Sequence, residues 1–384
     1  MHLSMRLTAE WHRGANGLEE LWGEWHELAD RIAMCRTHQR PEAFRAYLPL
    51  VADDNLWFIA LRDETGLLRA VCPLRIGRDY ALRVPFGVIS TVWGWEYEWP
   101  IGEIIAPEDD TRTLILPTLT AELQEHSSPQ TLLLAVGPLA EGSRLWEGLE
   151  AVPGAYSYAE PAWDWIECAG TFEDYFAGLS KNFRGNLRKA RNKLKKLPDL
   201  RWVTATAPED VLCELRAFML LEASGWKSRT KEGEPVNRDP RLAKYYEDLF
   251  TGLASIGLAE LNALYAGNRC IASQLCMRSG DGLFEMAKIA YDEEYARMAP
   301  GNMLFEHTVQ RLFEDSSVQW LDLMSDAKWH DDWKPVEIPM RRAYIPVKPY
   351  ALGGIALARL RFGPVRTLAR AVRKRRAGAA GRRG

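Results

Sequence analysis

The stretch from Leu258 to Leu323 constrains the fold of this chain more than any other. Its first run, Leu258-Ala-Glu-Leu-Asn-Ala-Leu-Tyr265, ends at the turn pair Gly267-Asn268. A second run, Cys270 to Met277, ends at Ser279-Gly-Asp-Gly282, and a third extends from Leu283 to Tyr291. Apolar-rich runs of this length, punctuated by Gly, Asn and Asp, predict successive antiparallel strands. After Arg297-Met-Ala-Pro-Gly-Asn302 comes an apolar face at Leu304, Val309 and Leu312 with helical spacing, then a short strand from Val318 to Leu323. A Gly-containing turn from strand into helix leaves amide N–H groups without intrahelical partners, which favours an anion such as a phosphate. The same turn would serve as a purely structural start of a helix.

Four segments narrow the reading. They are Phe172 to Lys196, Leu220-Leu-Glu-Ala-Ser-Gly-Trp-Lys227, Lys288-Ile-Ala-Tyr-Asp-Glu-Glu-Tyr295 and Ala299-Pro-Gly-Asn-Met-Leu304. In that order they resemble GNAT-superfamily acyltransferases of the CelD type, found near polysaccharide-synthesis genes. They are also similar, more distantly, to the FemABX aminoacyl transferases. The match covers about Trp163 to Tyr344. The resemblance implies an α/β (α+β) fold of tandem GNAT-like domains, each a mixed, mostly antiparallel sheet flanked by helices. The expected division is a degenerate GNAT-like domain over 1–153, an acyltransferase domain over 154–347 and a basic amphipathic tail over 348–384, with Ala151-Val-Pro-Gly154 as linker.

A length of 384 residues favours two domains. The net charge of −3 argues against a polyanion binder overall. The six cysteines form no C-x-x-C pair and read as reduced. The N-terminus carries Glu10, Trp11, His12 and Arg13 in place of an apolar leader, and no stretch approaches a transmembrane helix in length. The expectation is a cytoplasmic protein, with the tail at the inner face of the membrane.

Upstream, Gly17 to Met34 and Pro41 to Leu48 read as helices, and Leu56 to Arg62 with Arg69 to Ile76 as a hairpin around Asp63-Glu-Thr-Gly66. Trp93, Trp95, Tyr97 and Trp99 alternate with Glu96 and Glu98, which fits a domain-interface core better than a sugar-stacking platform. Thr111 to Glu125 reads as a helix, Thr131 to Val136 as a buried strand, Gly142 to Leu149 as a short helix and Trp163 to Glu167 as an edge strand. Thr171 with Asp174 approaches a capping box, and Ser180 opens a basic helix. On that helix Lys181, Arg184, Arg188 and Arg191 share one face, either solvated or directed at an anion. Pro208 to Ala223 and Arg241 to Ile256 are helices joined by a polar loop that begins at Gly225-Trp-Lys227. Ala356 to Arg376 interleaves Leu and Val with arginines, a pattern suited to an anionic membrane surface or RNA.

The resemblance implies acyl-CoA, acetyl or longer, as co-substrate and no metal. The seven histidines show no ligand-like spacing, and no G-x-S-x-G occurs. The amine must lose its proton, so a base is required. Asp292 is the first candidate, at the end of the strand that leads to the Pro-Gly turn; Glu285, Asp322 and His330 are the others. Alternation puts Glu285, Ala287 and Ile289 on one side of their strand and Met286, Lys288 and Ala290 on the other. Arg297, Pro300, Gly301, Asn302 and Met303 are the phosphate-turn candidates. Lys181, Arg184, Arg188, Trp226, Lys227, Lys288, Tyr291 and Trp333 are the substrate-binding candidates. Where the resembled family has a glycine and an aromatic-lysine pair, this chain has Ser325 and Trp329-His330. The expected acceptor is a small-molecule or saccharide amine. Two alternatives stand beside it: a FemABX-like transferase using aminoacyl-tRNA, and a non-catalytic scaffold in polysaccharide biosynthesis.

Overall fold

The computed structural model describes residues 6–33, 35–51, 55–81, 84–91, 104–107, 109, 111–128, 131–225, 235–280 and 282–348. The aromatic run Trp93 to Trp99, the pair Trp226-Lys227 and the basic tail lie outside them. In chain order the first elements are β1 (Thr8–Arg13), α1 (Gly14–Asp30), α2 (Pro41–Tyr47), β2 (Leu56–Arg62), β3 (Leu68–Ala81), β4 (Val84–Thr91), α3 (Thr111–His126), β5 (Thr131–Ala140), α4 (Arg144–Glu150) and β6 (Tyr156–Glu167). They are followed by α5 (Phe172–Gly178), α6 (Lys181–Leu194), β7 (Leu200–Ala205), α7 (Pro208–Ser224), α8 (Pro240–Ser255), β8 (Ala259–Ala266), β9 (Arg269–Ser279), β10 (Gly282–Tyr291), α9 (Pro300–Glu314), β11 (Val318–Asp322) and β12 (Val336–Pro346). Among the described residues no helix is long and apolar enough to cross a membrane.

The chain divides into two compact units, which exchange segments. The described residues within 6–28, 55–160 and 339–348 form the first, and those within 29–51 and 161–338 the second. Compared with the expected boundary at 153/154, two pieces change sides. The segment carrying α2 packs on α8, and β12 pairs antiparallel with β5. Ala151 to Gly154, the expected linker, is a turn that leads into β6, and that strand begins at Tyr156, well before Trp163.

In the first unit the strands run β1-β2-β3-β4-β5-β12, with the start of β6 alongside; β4 and β5 are parallel. The β2–β3 hairpin forms because Asp63 Oδ1 accepts from the amides of Thr65 (2.9 Å) and Leu67 (3.2 Å), an Asx-type turn closed by Gly66 at φ 83°. Helix α1 buries Leu18, Leu21, Trp25 and Leu28, with the Trp25 ring 5.4 Å from Phe58. Helices α3 and α4 cover the rest of the core with Ile115, Leu116, Leu119, Leu123 and Leu145.

In the second unit the order is end of β6-β11-β10-β9-β8-β7. All pairs are antiparallel except β10–β11, which needs a crossover and obtains it through α9. Helices α5, α6 and α9 pack on one face; α7, α8 and the segment with α2 lie on the other. The predicted N-caps are present: Thr171 Oγ1 accepts from Asp174 N at 3.1 Å and Ser180 Oγ from Phe183 N at 3.2 Å. Trp333 is fully buried, 5.0 Å from Phe183 and 4.7 Å from Phe305 between ring centres.

Close packing of α4 on α3 depends on Gly148, where an added Cβ would lie 2.7 Å from the Thr113 carbonyl oxygen. Backbone cannot yield as a flexible side chain does. Gly148→Ala is expected to destabilise the protein by about 1–3 kcal/mol through overpacking, read from denaturant midpoints.

Candidate active site

The site begins where two strands part. β10 and β11 pair in parallel from Gly282 opposite Val318 to Glu285 opposite Asp322. There β11 stops: Asp322 Oδ1 accepts from Met324 N at 2.6 Å, and Met324 turns left-handed at φ 52°. β10 continues to Tyr291, paired with β9 alone among the described residues. A bulge interrupts that pairing between Met286 and Lys288. One extra residue reverses the alternation beyond it. Glu285 and Lys288 therefore share a face, against the expectation from strict period two. Phe284 and Met286 join the α9 core, and Ile289 and Tyr291 approach the start of α9.

The turn after β10 places a helix start against this open half. Residues Glu293–Met298 form a 3-10 turn, and Ala299 adopts φ 45°, ψ 53°, the left-handed region, before Pro300 opens α9. Ala299 offers no side-chain cap, and Pro300 has no N–H to satisfy. Met303 N reaches Ala299 O at 3.0 Å, which leaves the Gly301 and Asn302 amides without intrahelical acceptors. A Cβ on Gly301 would sit 3.5 Å from Tyr291 Cδ1 and 3.7 Å from Ile289 Cδ1, so the helix start lies directly on β10. Tyr291 is 40% exposed beside it. Arg297 is exposed, and its carbonyl accepts from Lys193 Nζ at 3.1 Å; Met303 is buried in the core. Partial positive charge at such a helix start suits a diphosphate.

At the root of the splay lies Arg36, which nothing in the sequence singled out. Its Nη1 donates to Glu285 Oε1 at 3.0 Å and its Nη2 to Asp322 Oδ2 at 2.7 Å. The guanidinium stacks over Trp163 and Trp165, 4.8 and 5.4 Å from the ring centres. Thr37 Oγ1 donates to Glu285 Oε2 at 2.9 Å, and Ser279 Oγ also donates to that oxygen. Two of the four candidate bases thus form a buried network. Burial pushes the Asp322 carboxyl above its ordinary value; Arg36 opposes the shift and Glu285 adds to it.

Asp292 also has both oxygens occupied. Oδ1 accepts from Glu294 N at 3.0 Å, and Oδ2 pairs with Arg269 Nη2 at 2.5 Å. His330 is buried with Nδ1 donating to Asp164 Oδ2 at 2.7 Å; burial lowers its pKa, against the opposing effect of Asp164. These two hold, respectively, the turn after β10 and the loop after β11. Trp333, expected at the substrate, fills the core and accepts from the Tyr175 hydroxyl through its carbonyl at 2.6 Å.

On α6 the cationic face divides by role. Arg184 donates to the carbonyls of Ala177 and Leu179, the latter at 3.0 Å, and so closes the end of α5. Arg191 Nη2 pairs with Glu306 Oε1 at 2.5 Å. Lys181 and Arg188 are exposed. Lys288 lies beyond the bulge on the α7 side, its Nζ 3.8 Å from Glu222 Oε1 and 5.9 Å from the centre of the Tyr246 ring. A cavity of about 430 Å³ opens elsewhere, among α5, α6, β7 and α9, lined by Phe172, Phe176, Trp202 and His307; Met303 is the one predicted site residue on its wall.

The second unit is thus a mixed α/β sheet that splays at a parallel pair, with an uncapped helix start at the opening. Residues 181–334 match the family described as acetyltransferase (GNAT) domain. Solved structures agree on the fold. FemX aligns at TM-score 0.57 and 12% identity, over 84% of this chain and 95% of its own. The C-terminal domain of a protein described as a putative lysylphosphatidylglycerol synthetase, from Agrobacterium fabrum, aligns at 0.54 and 10%, over 91% and 97%. L-PGS from Bacillus licheniformis aligns at 0.52 and 12%, over 91% and 98%. No curated protein matches the chain in sequence.

Removing Arg36 strands two buried carboxylates. Arg36→Met is expected to cost about 3–5 kcal/mol in urea denaturation. The pH dependence has a definite sign. Because the folded-state pKa of Asp322 is raised above 3.8, its contribution is fully present below that value and lost as pH rises through the raised one. The stability of wild type relative to Asp322→Asn should therefore fall with increasing pH across that window, as followed by denaturation midpoints.

Proposed function

We propose that this chain is an N-acyltransferase moving an acyl group from acyl-CoA to an amine, with an amino sugar or another polysaccharide-pathway intermediate as acceptor. One observation carries the reading: the uncapped, left-handed start of α9 lies against the half of β10 that β11 leaves open. The Gly301 and Asn302 amides would hold the donor's diphosphate, and Gly301 contributes no side chain to obstruct it. The exposed edge of β10 would accept the extended thioester arm as a partial strand, with an edge amide polarising the carbonyl. The amine nitrogen then attacks the carbonyl carbon. The C–N bond forms as the C–S bond breaks, and the CoA sulfur leaves with a proton from the nitrogen. Catalysis on this reading is chiefly positioning. The sequence resemblance to CelD-type proteins supports the polysaccharide setting, and the arginine-rich segment Ala356 to Arg376 supports peripheral contact with an anionic cytoplasmic membrane face.

A second reading, transfer from aminoacyl-tRNA, is favoured by the exposed cations Lys181, Arg188, Lys189, Lys195 and Lys196 on and just beyond α6, together with the fold likeness to FemX. It predicts binding with a steep salt dependence, because each phosphate contact releases counterions.

Titration calorimetry separates the two. Acetyl-CoA or a longer acyl-CoA should bind saturably, and Gly301→Trp should weaken binding at least about tenfold, or 1.4 kcal/mol, with the fold retained. Salt-sensitive binding of charged tRNA, with acyl-CoA inert, would establish the second reading instead.

A further inference from the structure

Helix α7 buries Val211, Leu215 and Phe218 at intervals of four and three residues, and the next position on that stripe is Glu222. Its relative exposure is 3%, so the helix puts a carboxylate where its pattern calls for an apolar side chain. Such a group is costly to bury unless it is paired. Glu222 Oε2 accepts from Val236 N at 2.9 Å, and Oε1 lies 3.8 Å from Lys288 Nζ. Lys288 is the first residue past the bulge, on the open half of β10 and on the face away from the start of α9. Ser273 stands next to it. It pairs in register with Ala290, and its fully buried hydroxyl has no hydrogen-bond partner among the described residues.

An acyl donor seated at the start of α9 approaches the opening of β10 from one face, which leaves the other for the acceptor. We propose that the acceptor is a primary amine that docks on the α7 face of β10, where Glu222 binds its ammonium group and takes its proton beside Lys288. This inference rests on the acyl-CoA reading above. The chemistry follows from placing two cations next to one carboxylate. The Lys288 ammonium disfavours a second positive charge nearby and so lowers the pKa of the bound amine. The Glu222 carboxylate receives the proton. The freed lone pair attacks the thioester carbonyl, and the nitrogen's second departing proton goes to the CoA sulfur. Product release then lets Glu222 return its proton to solvent. The groups facing Lys288 include Glu222 from α7 and the Tyr246 ring from α8. Asp292, Glu285 and Asp322 are held by Arg269 or Arg36, whereas Glu222 stands beside Lys288.

The test uses the full-length protein with acetyl-CoA and ethylamine, following amine-dependent thiol release, and calorimetry with acetyl-CoA alone. Glu222→Gln keeps an oxygen for the Val236 amide and should fold. It is expected to lower amine-dependent release at least about 100-fold, with acetyl-CoA affinity unchanged. Glu222→Asp should recover part of the rate, and Lys288→Met should move the pH midpoint of the reaction upward. Thiol release by Glu222→Gln at the wild-type rate overturns the inference, as does wild type that binds acetyl-CoA but shows no amine-dependent release. Failure of wild type to bind acetyl-CoA removes the acyl-CoA reading itself, and this inference with it.

Discussion

The parting of β10 and β11 is the constraint on which the rest of the second unit depends. Two parallel strands that stayed paired along their length would saturate each other's backbone groups. Here the pairing ends at Glu285 and Asp322, and the two carboxylates at the end of the ladder meet one guanidinium. Arg36 thus sits at the point where the strands diverge, with Trp163 and Trp165 against its planar face. Charge at this depth is expensive unless every partner is present. The network is therefore a poor source of stability and a good source of geometry: it tolerates one arrangement of the strand ends and penalises others.

The bulge on β10 gives the opening two chemically different faces. Beyond it, Ile289 and Tyr291 meet the start of α9, where the Gly301 and Asn302 amides have no intrahelical acceptor and there is no side-chain cap. On the opposite face Lys288 meets Glu222 of α7. One extra residue in the strand separates an electropositive helix start from an ion-paired carboxylate by the thickness of a sheet.

Features that depend on near neighbours along the chain are legible in the sequence itself. Thr171 and Ser180 announce helix starts because a cap acts over three residues. The strands and turns from Leu258 to Leu323 are equally local, and their order is enough to bring the acyltransferase superfamily into view. Glu222 carries a readable signal, a carboxylate on an apolar stripe, although its partners do not. Trp333 carries a misleading one, since a tryptophan near a candidate cleft reads the same whether it lines the cleft or fills the core. Arg184 likewise belongs to a cationic face by spacing, yet caps a neighbouring helix.

The sequence by itself determined the strands from Leu258 to Leu323, the helix starts at Thr171 and Ser180 and the turn that opens α9, because hydrophobic period, capping and turn chemistry act within a few residues. Tertiary structure alone decided which side of β10 Lys288 occupies, that Arg36 joins Glu285 and Asp322, and that residues 29–51 group with the second unit. Those outcomes depend on a shift of one residue in strand register and on contacts across some 250 positions of chain, neither of which leaves a periodic trace in the amino-acid order.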